Sequence, residues 1–209
     1  MLNGNGNTHT YQNKLMITSR FYYALIINVL LIALVSISCN YGDQKRFQLM
    51  KNSLTKDIGK PFKIENVIDS SGKPIKLDFS KSDLTIIDFW FKDCPPCIEE
   101  MQRFPKILAG REGKISIISI SINQFWVWKP ILTHPTGKFS FLNNSTTNWK
   151  QYDLKTSQDK KLKNEYSVDR LDEIQSNYSI PFFPSYFVVN KKGIIISRPQ
   201  SALAFIKAY

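Results

Sequence analysis

Histidine and cysteine are scarce in this chain, with two His and three Cys among 209 residues. Three cysteines are too few for a small fold stapled by disulfides. Nine Gly and ten Pro exclude collagen-like and Gly/Pro low-complexity chains. No internal repeat and no heptad run is present. Acids are short as well: 17 Asp+Glu stand against 28 Lys+Arg, a formal net charge of +11. A basic chain invites a nucleic-acid reading. The distribution argues against it, because lysines are scattered and acids sit among them, as in Lys155–Asp159–Lys160–Lys161–Lys163–Glu165. No motif of a nucleic-acid module appears. The excess reads as a solvated basic face, with contact to anionic lipid headgroups as the alternative. With 43% hydrophobic and 22% charged residues, the chain can bury a core and is not globally disordered. Its length allows one domain plus extras.

The strongest compositional feature is Phe21 to Ile37, FYYALIINVLLIALVSI, apolar except for Asn28 and Ser36. Its 17 residues fall short of the about 20 that a membrane span needs. Arg20 precedes it and Ser36-Ile37-Ser38-Cys39 closes it. A basic start, an apolar stretch and small residues at a cut site make a secretory signal. A Cys directly after the small residue resembles a bacterial lipoprotein signal. That resemblance implies lipidation of the Cys39 thiol, with Cys39 as the mature N-terminus. Ser36 departs from the usual aliphatic residue there. An uncleaved N-terminal anchor and an ordinary cleaved signal are the alternatives, and all three readings place the remainder outside the cytoplasm. Residues 1–15 are polar and sit awkwardly before a signal, so Met16 is read as the true start.

The chain is thus read as a signal over 1–38, a lipid-anchored tether over 39–60, and a domain over 61–209. Phe62–Val67 and Ile75–Phe79 are strand-like runs around the turn signal Asp69-Ser70-Ser71-Gly72-Lys73-Pro74, a β-hairpin. Leu84–Trp90 is apolar except for Thr85 and one acid, Asp88, and suits a strand buried on both faces. Pro95 to Leu108 reads as a helix, with Ile98, Met101, Phe104, Ile107 and Leu108 at helical spacing. Pro105 inside it should kink or end it. Lys114–Ile122 is another central strand. Residues 123–178 are largely polar and Lys-rich, with Trp126, Trp128 and Trp149 more often core than ligand contacts in such a setting, and Leu171–Tyr178 a short helix. Ser185–Asn190 and Ile194–Ser197 are strands around Lys191-Lys192-Gly193, and Ala202–Tyr209 begins a helix. This order predicts an α/β sandwich with a central mixed sheet.

Between the first central strand and the first helix lies Cys94-Pro95-Pro96-Cys97. Two thiols three positions apart at such a junction can close a disulfide across one turn. The first sits at the helix N-terminus, where a thiolate is stabilised and becomes the nucleophile. The second, one turn in, attacks the mixed disulfide and releases product. Two other readings of the motif are a structural disulfide in an exported protein and half of a zinc site. Zinc wants more ligands than His134 and the remaining Cys supply.

The segment Ile87-Asp88-Phe89-Trp90-Phe91-Lys92-Asp93-Cys94-Pro95-Pro96-Cys97 resembles the active-site segment of the thioredoxin superfamily. The preceding hairpin, the Cys-x-Pro-Cys form, and Glu100 three residues after Cys97 are similar to the exported, membrane-tethered TlpA/ResA-like branch. Phe183-Pro184-Ser185-Tyr186-Phe187-Val188-Val189-Asn190-Lys191-Lys192-Gly193 resembles that branch's cis-proline strand and turn. The Pro-to-Gly spacing fits Pro184 and not Pro181. The resemblance covers about residues 60–209 and implies a thioredoxin-like domain with an N-terminal β-hairpin and an enlarged insertion at about 123–178.

Residue by residue, the resemblance implies Cys94 as attacking and Cys97 as resolving cysteine, and Pro184 against the disulfide. It implies a substrate groove shaped by Pro184, Phe183, Trp90, Pro95 and Pro96. Asp88 resembles the buried acid under the active site, with a raised pKa suited to proton exchange with Cys97. Glu100 either tunes the cysteine pair or favours the helix start. Asp93 replaces a frequent Trp, and its charge beside Cys94 should oppose thiolate formation, offset in part by Lys92. Gln102 stands where Pro is common. The implied activity is thiol–disulfide exchange by a redox-active disulfide, without a metal or other cofactor. The implied direction is reduction, with electrons from a membrane thiol carrier, on cysteines such as those of apocytochromes c. Two rivals are a Cu(I) metallochaperone, disfavoured by the lack of any His after His134, and a non-catalytic binding module on the same scaffold.

Overall fold

A computed structural model of the chain describes residues 54–155, 175, 180 and 182–209. These fall within one compact unit, 51–209. Phe21–Ile37, Met16, Cys39, most of the tether and, Gln175 apart, the helix expected over Leu171–Tyr178 lie outside the described residues.

The elements in chain order are β1 (Val67–Ile68), β2 (Leu84–Trp90), α1 (Pro95–Met101), α2 (Phe104–Leu108), β3 (Ile115–Ser121) and α3 (Phe125–Thr133). A 3-10 helix (Gly137–Asn144), β4 (Trp149–Leu154), β5 (Ser185–Asn190), β6 (Ile195–Ser197) and α4 (Ala202–Ala208) follow. The strands form one six-stranded sheet in the order β1-β4-β3-β2-β5-β6. β3 runs parallel to both β2 and β4, and the other pairings are antiparallel. The result is an α/β fold on a mixed sheet.

β2 is buried along its whole length. Side chains alternate faces along a strand, so β2 feeds two cores. Leu84, Ile86 and Trp90 join one, with Ile115 and Ile117 of β3 and Tyr186 and Val188 of β5. Ile87 and Phe89 join the other, with Ile118, Ile120, Phe187 and Val189. The first core also holds Cys94, Cys97, Ile98, Met101, Phe104 and Leu108, which means α1 and α2 cover that face. By the same alternation Asp88, Ser119 and Tyr186 point to the face that α1 covers.

The single helix expected over Pro95–Leu108 is two short helices. Pro105 has no N–H to give the Met101 carbonyl, and its ring crowds the preceding turn, which breaks the helix at Gln102-Arg103. The lead-in hairpin is contracted. Of Phe62–Val67 only Val67 is strand, and the return arm is reduced to the Ile68–Pro74 bridge and an Ile75 N–H donated to the Val67 carbonyl at 2.9 Å. Asn66, at φ 61°, interrupts the extended backbone, and Pro74 has no N–H for a ladder. The apolar side chains Phe62, Ile64, Ile75, Leu77 and Phe79 still pack on the second core.

Much of the segment 123–178 is built into the fold. α3 follows β3 directly, and β4 lies inside the sheet between β1 and β3. Trp128 and Trp149 are buried, while Trp126 is half exposed. At the β5–β6 turn Gly193 has φ 74°, and a Cβ there would lie 3.0 Å from the Phe79 ring. Both the left-handed backbone and the close approach favour glycine.

Candidate active site

β2 ends at Trp90, and a short turn delivers Cys94 as the N-cap of α1. Pro95 and Pro96 take the first two helical positions, where their fixed φ suits a helix start. Cys97 comes next, and its Sγ is bonded to that of Cys94, with the Cα atoms 5.3 Å apart. The Cys97 N–H donates to Cys94 Sγ at 3.3 Å. Cys94 is 3% exposed and Cys97 fully buried, whereas Pro95 and Pro96 are exposed.

The Phe183-Pro184 peptide is cis. Pro184 directly precedes β5, whose Ser185 pairs with Phe89 near the end of β2. Phe183 meets Phe91 edge to face at 5.4 Å, joining the cis-proline strand to the loop that carries Cys94. Trp90 is fully buried and packs against Phe139, with centroids 6.1 Å apart. Trp90 is therefore core beneath the loop rather than groove surface.

Asp88 is fully buried. Ser119 Oγ donates to its Oδ2 at 2.9 Å, and Trp149 Nε1 donates to Ser119 Oγ at 2.9 Å. Oδ1 has no hydrogen-bond partner among the described residues. Burial pushes the Asp88 carboxyl up to about 8, the Ser119 bond opposes the rise, and the Glu100 charge adds to it.

Glu100 lies past the first turn of α1, which holds no acid, so it does not serve the helix start. Its Oε2 accepts from Tyr186 Oη at 2.8 Å and from the backbone N–H of Ala202 at 3.0 Å. It therefore ties α1 to β5 and to the first turn of α4. Tyr186 stands opposite Asp88 in the β2–β5 ladder. Burial, with Asp88 and Glu100 nearby, holds its hydroxyl protonated far above the ordinary range.

Asp93, beside Cys94, pairs with Lys92 at 2.8 Å and with Lys138 at 3.4 Å. Lys138 also donates to the Lys92 carbonyl at 2.8 Å. The sequence pointed to Lys92; Lys138 is 45 residues from Asp93 and carried no signal. Ser119 carried none either, lying inside a strand of alternating Ile and Ser. Tyr186 lies in the strand that follows the cis-proline, and nothing in its local sequence marks it as a partner of Glu100.

Among the described residues no three His, Cys, Asp or Glu side chains converge to hold a metal. An open cleft of about 400 Å³ lies at the other end of the sheet, lined by Leu77, Lys81, Gly113, Ser116, Asn148 and Tyr152 among others. It contains neither cysteine.

A protein named thiol-disulfide oxidoreductase ResA from Bacillus cereus is 25% identical over 187 residues, covering 86% of this chain and 87% of the relative. The solution structure of a thiol:disulfide interchange protein from a Bacteroides species matches with a TM-score of 0.50 at 19% identity, over 75% of this chain and 88% of that one. The chain is thus similar in sequence to that ResA protein, and its fold is thioredoxin-like. A thioredoxin domain from Bacteroides vulgatus is also similar, with a TM-score of 0.45 at 18% identity, over 71% of this chain and 94% of that one. No family model matches. In this fold, the β2-loop-α1 junction holds the cysteine pair and the cis-proline strand lies beside it.

Proposed function

We propose that this chain is a thiol–disulfide oxidoreductase working through Cys94 and Cys97. The observation that carries the reading is the Cys94–Cys97 disulfide at the start of α1, on the sheet face that holds buried Asp88. The ResA relative supports the same activity.

In the reducing direction the Cys94 thiolate attacks one sulfur of a partner's disulfide. A mixed disulfide forms and the partner's other sulfur leaves as a thiolate. Cys97 gives its proton to Asp88 and attacks Cys94 Sγ. The Cys94–Cys97 disulfide closes, the second partner sulfur leaves, and a proton returns to it. The partner gains two electrons and the chain loses two. An external dithiol resets it.

Our reading of direction is reductant. A thiolate at a helix N-terminus is normally held by the free N–H groups of the first turn. Here the first two positions are prolines without N–H, which leaves the Cys97 N–H as the donor seen on Cys94 Sγ. A poorly stabilised thiolate is a less favoured product of reduction, so the couple lies low and the dithiol is the stronger reductant. The partners that suit this are extracytoplasmic proteins with cysteines to be kept reduced, apocytochromes c among them, and a membrane dithiol carrier as donor. The signal-like Phe21–Ile37 and Cys39 support a domain held at the cell envelope outside the cytoplasm. No helix among the described residues is long and apolar enough to cross a membrane. Labelled fatty acid fed to the producing cells should be incorporated into the chain and lost in Cys39→Ala; a chain that takes up no label would favour an uncleaved anchor or an ordinary cleaved signal instead.

The deciding measurement is the midpoint potential of Cys94–Cys97 in thiol/disulfide buffers, read by thiol trapping. A reversible two-electron couple near or below about −250 mV supports a reductant, and one well above about −180 mV means an oxidant or isomerase. The absence of a reversible couple overturns the oxidoreductase reading.

A further inference from the structure

We propose that Ser119 is a positioning residue for the proton-exchange step, aligned by Trp149 to hold one oxygen of Asp88 and leave the other for the proton. The proposal rests on the reading of Asp88 as the partner of Cys97.

A serine hydroxyl has one proton and two lone pairs. Trp149 Nε1 is a donor only, so it occupies a lone pair of Ser119 Oγ. The single Ser119 proton is then directed at Asp88 Oδ2, 2.9 Å away. All three groups are buried, Asp88 and Ser119 completely and Trp149 at 2% exposure. Water does not compete for these bonds, and an unpaired polar atom there is costly. Trp149 is itself fixed by Phe104 edge to face at 5.4 Å and by Phe141 stacked at 6.2 Å. The indole is thus a rigid support two steps from the carboxyl. Asp88 Oδ1, without a partner among the described residues, is left as the oxygen that takes and returns a proton.

The groups that face Asp88 come from each neighbouring element. Ser119 comes from β3 and stands opposite Asp88 in the β2–β3 register. Tyr186 comes from β5 and stands opposite it in the β2–β5 register. Glu100 comes from α1, with its Oε2 occupied by Tyr186 Oη and the Ala202 N–H. Tyr186 therefore spends its proton on Glu100, and Ser119 is the hydroxyl donor that Asp88 receives. A hydrogen bond to the ionised form stabilises it. Ser119 thereby sets how readily Asp88 gives up its proton, and hence the pH range over which Cys97 can be activated.

The test uses the full chain in detergent micelles with 13C-labelled Asp carboxyls, the Asp88 signal being assigned by its loss in Asp88→Asn. In the oxidised chain neither cysteine titrates, so the Asp88 curve is clean. Ser119→Ala removes one atom from a buried site and keeps the strand. Its Asp88 midpoint should rise by about one pH unit, the size expected for one charge-assisted bond lost to a carboxylate. Ser119→Thr, which keeps the hydroxyl, should return most of the shift. In the reduced chain, the pH profile of exchange with a small aromatic disulfide should move upward together with the carboxyl midpoint. An unchanged Asp88 midpoint in Ser119→Ala overturns the proposal, as does a carboxyl shift with an unmoved exchange profile. A wild-type chain without exchange at any pH overturns the oxidoreductase reading instead, and the carboxyl titration separates that failure from this one.

Discussion

Folding buries the Asp88 carboxyl completely, with Ser119 on one oxygen and no partner for the other among the described residues. An acid in the middle of the otherwise apolar run Leu84–Trp90 already marks a charge that folding must bury. The structure adds the cause of its behaviour, complete burial with one hydrogen bond. The carboxyl is pushed up to about 8, against 3.8 ordinarily. Between these values the folded chain keeps a proton that the unfolded chain has released. The unfolded state then binds fewer protons, so stability falls as pH rises from about 4 to about 8 and is level above. Asp88→Asn has no such titration. Its oxidised form should gain on wild type across that window, by on the order of a few kcal/mol at pH 9, in urea unfolding followed at several pH values. A gain that is the same at pH 4 and pH 9 would mean that Asp88 does not titrate abnormally. The same substitution should slow resolution of the mixed disulfide and remove the inflection near pH 8. Residues of the site away from Asp88 in the chain were legible where a motif carried them, as with Glu100, Phe183 and Pro184. Lys138, Ser119 and Trp149 reach the site through pairing and packing that no local pattern encodes.

Elements with a clean period were legible to within a residue or so. β2 and β5 have the limits their apolar runs suggest, and β3 is within one residue at each end. Their two-faced burial explains this, since both registers of the alternation are apolar. β4 was hidden because Lys150, Gln151 and Asp153 break the apolar pattern of Trp149–Leu154. Its place is set by parallel pairing to β3, a long-range contact. The break between α1 and α2 was legible from Pro105, while the contracted hairpin turns on the left-handed Asn66, which the sequence does not announce. Glu100 shows how a single side chain organises elements, because it joins α1, β5 and α4. Removing it leaves the Tyr186 hydroxyl and the Ala202 N–H without their acceptor. Glu100→Ala should cost about 2–3 kcal/mol of stability, and Tyr186→Phe, which leaves the backbone bond to Glu100 in place, about 1 kcal/mol. Equilibrium urea unfolding of the oxidised chain measures both. Equal losses for the two variants would mean that the cap on α4 contributes nothing beyond the tyrosine bond.

At the scale of the whole molecule, the redox couple and the folding equilibrium are one thermodynamic cycle. The oxidised and reduced chains each fold, and their stability difference equals the difference in potential between the folded and the unfolded cysteine pair. A fold that favours the disulfide lowers the potential; a fold that favours the dithiol raises it. Several features of this chain act in the first sense. Both sulfurs are withdrawn from water. Pro95 and Pro96 deny the Cys94 sulfur the donors of the first turn. Asp93 adds a carboxylate beside it, moderated by Lys92 and Lys138. Each penalises a thiolate in the folded state more than in the unfolded chain, where water solvates it. The oxidised chain should therefore be the more stable form, by about 1.4 kcal/mol for every 30 mV that the folded couple lies below the unfolded one. Paired urea titrations of the oxidised and the reduced chain at about pH 9.5, where the unfolded thiols are ionised, give that difference without any partner protein. Replacing Pro95 and Pro96 by Ala restores the two N–H groups, so the gap should narrow and the midpoint potential should rise together. A reduced form more stable than the oxidised one would reverse the assigned direction and make the chain an oxidant. A gap that stays constant in the Pro-to-Ala variant would remove the missing donors as its cause and leave burial and Asp93 to account for it.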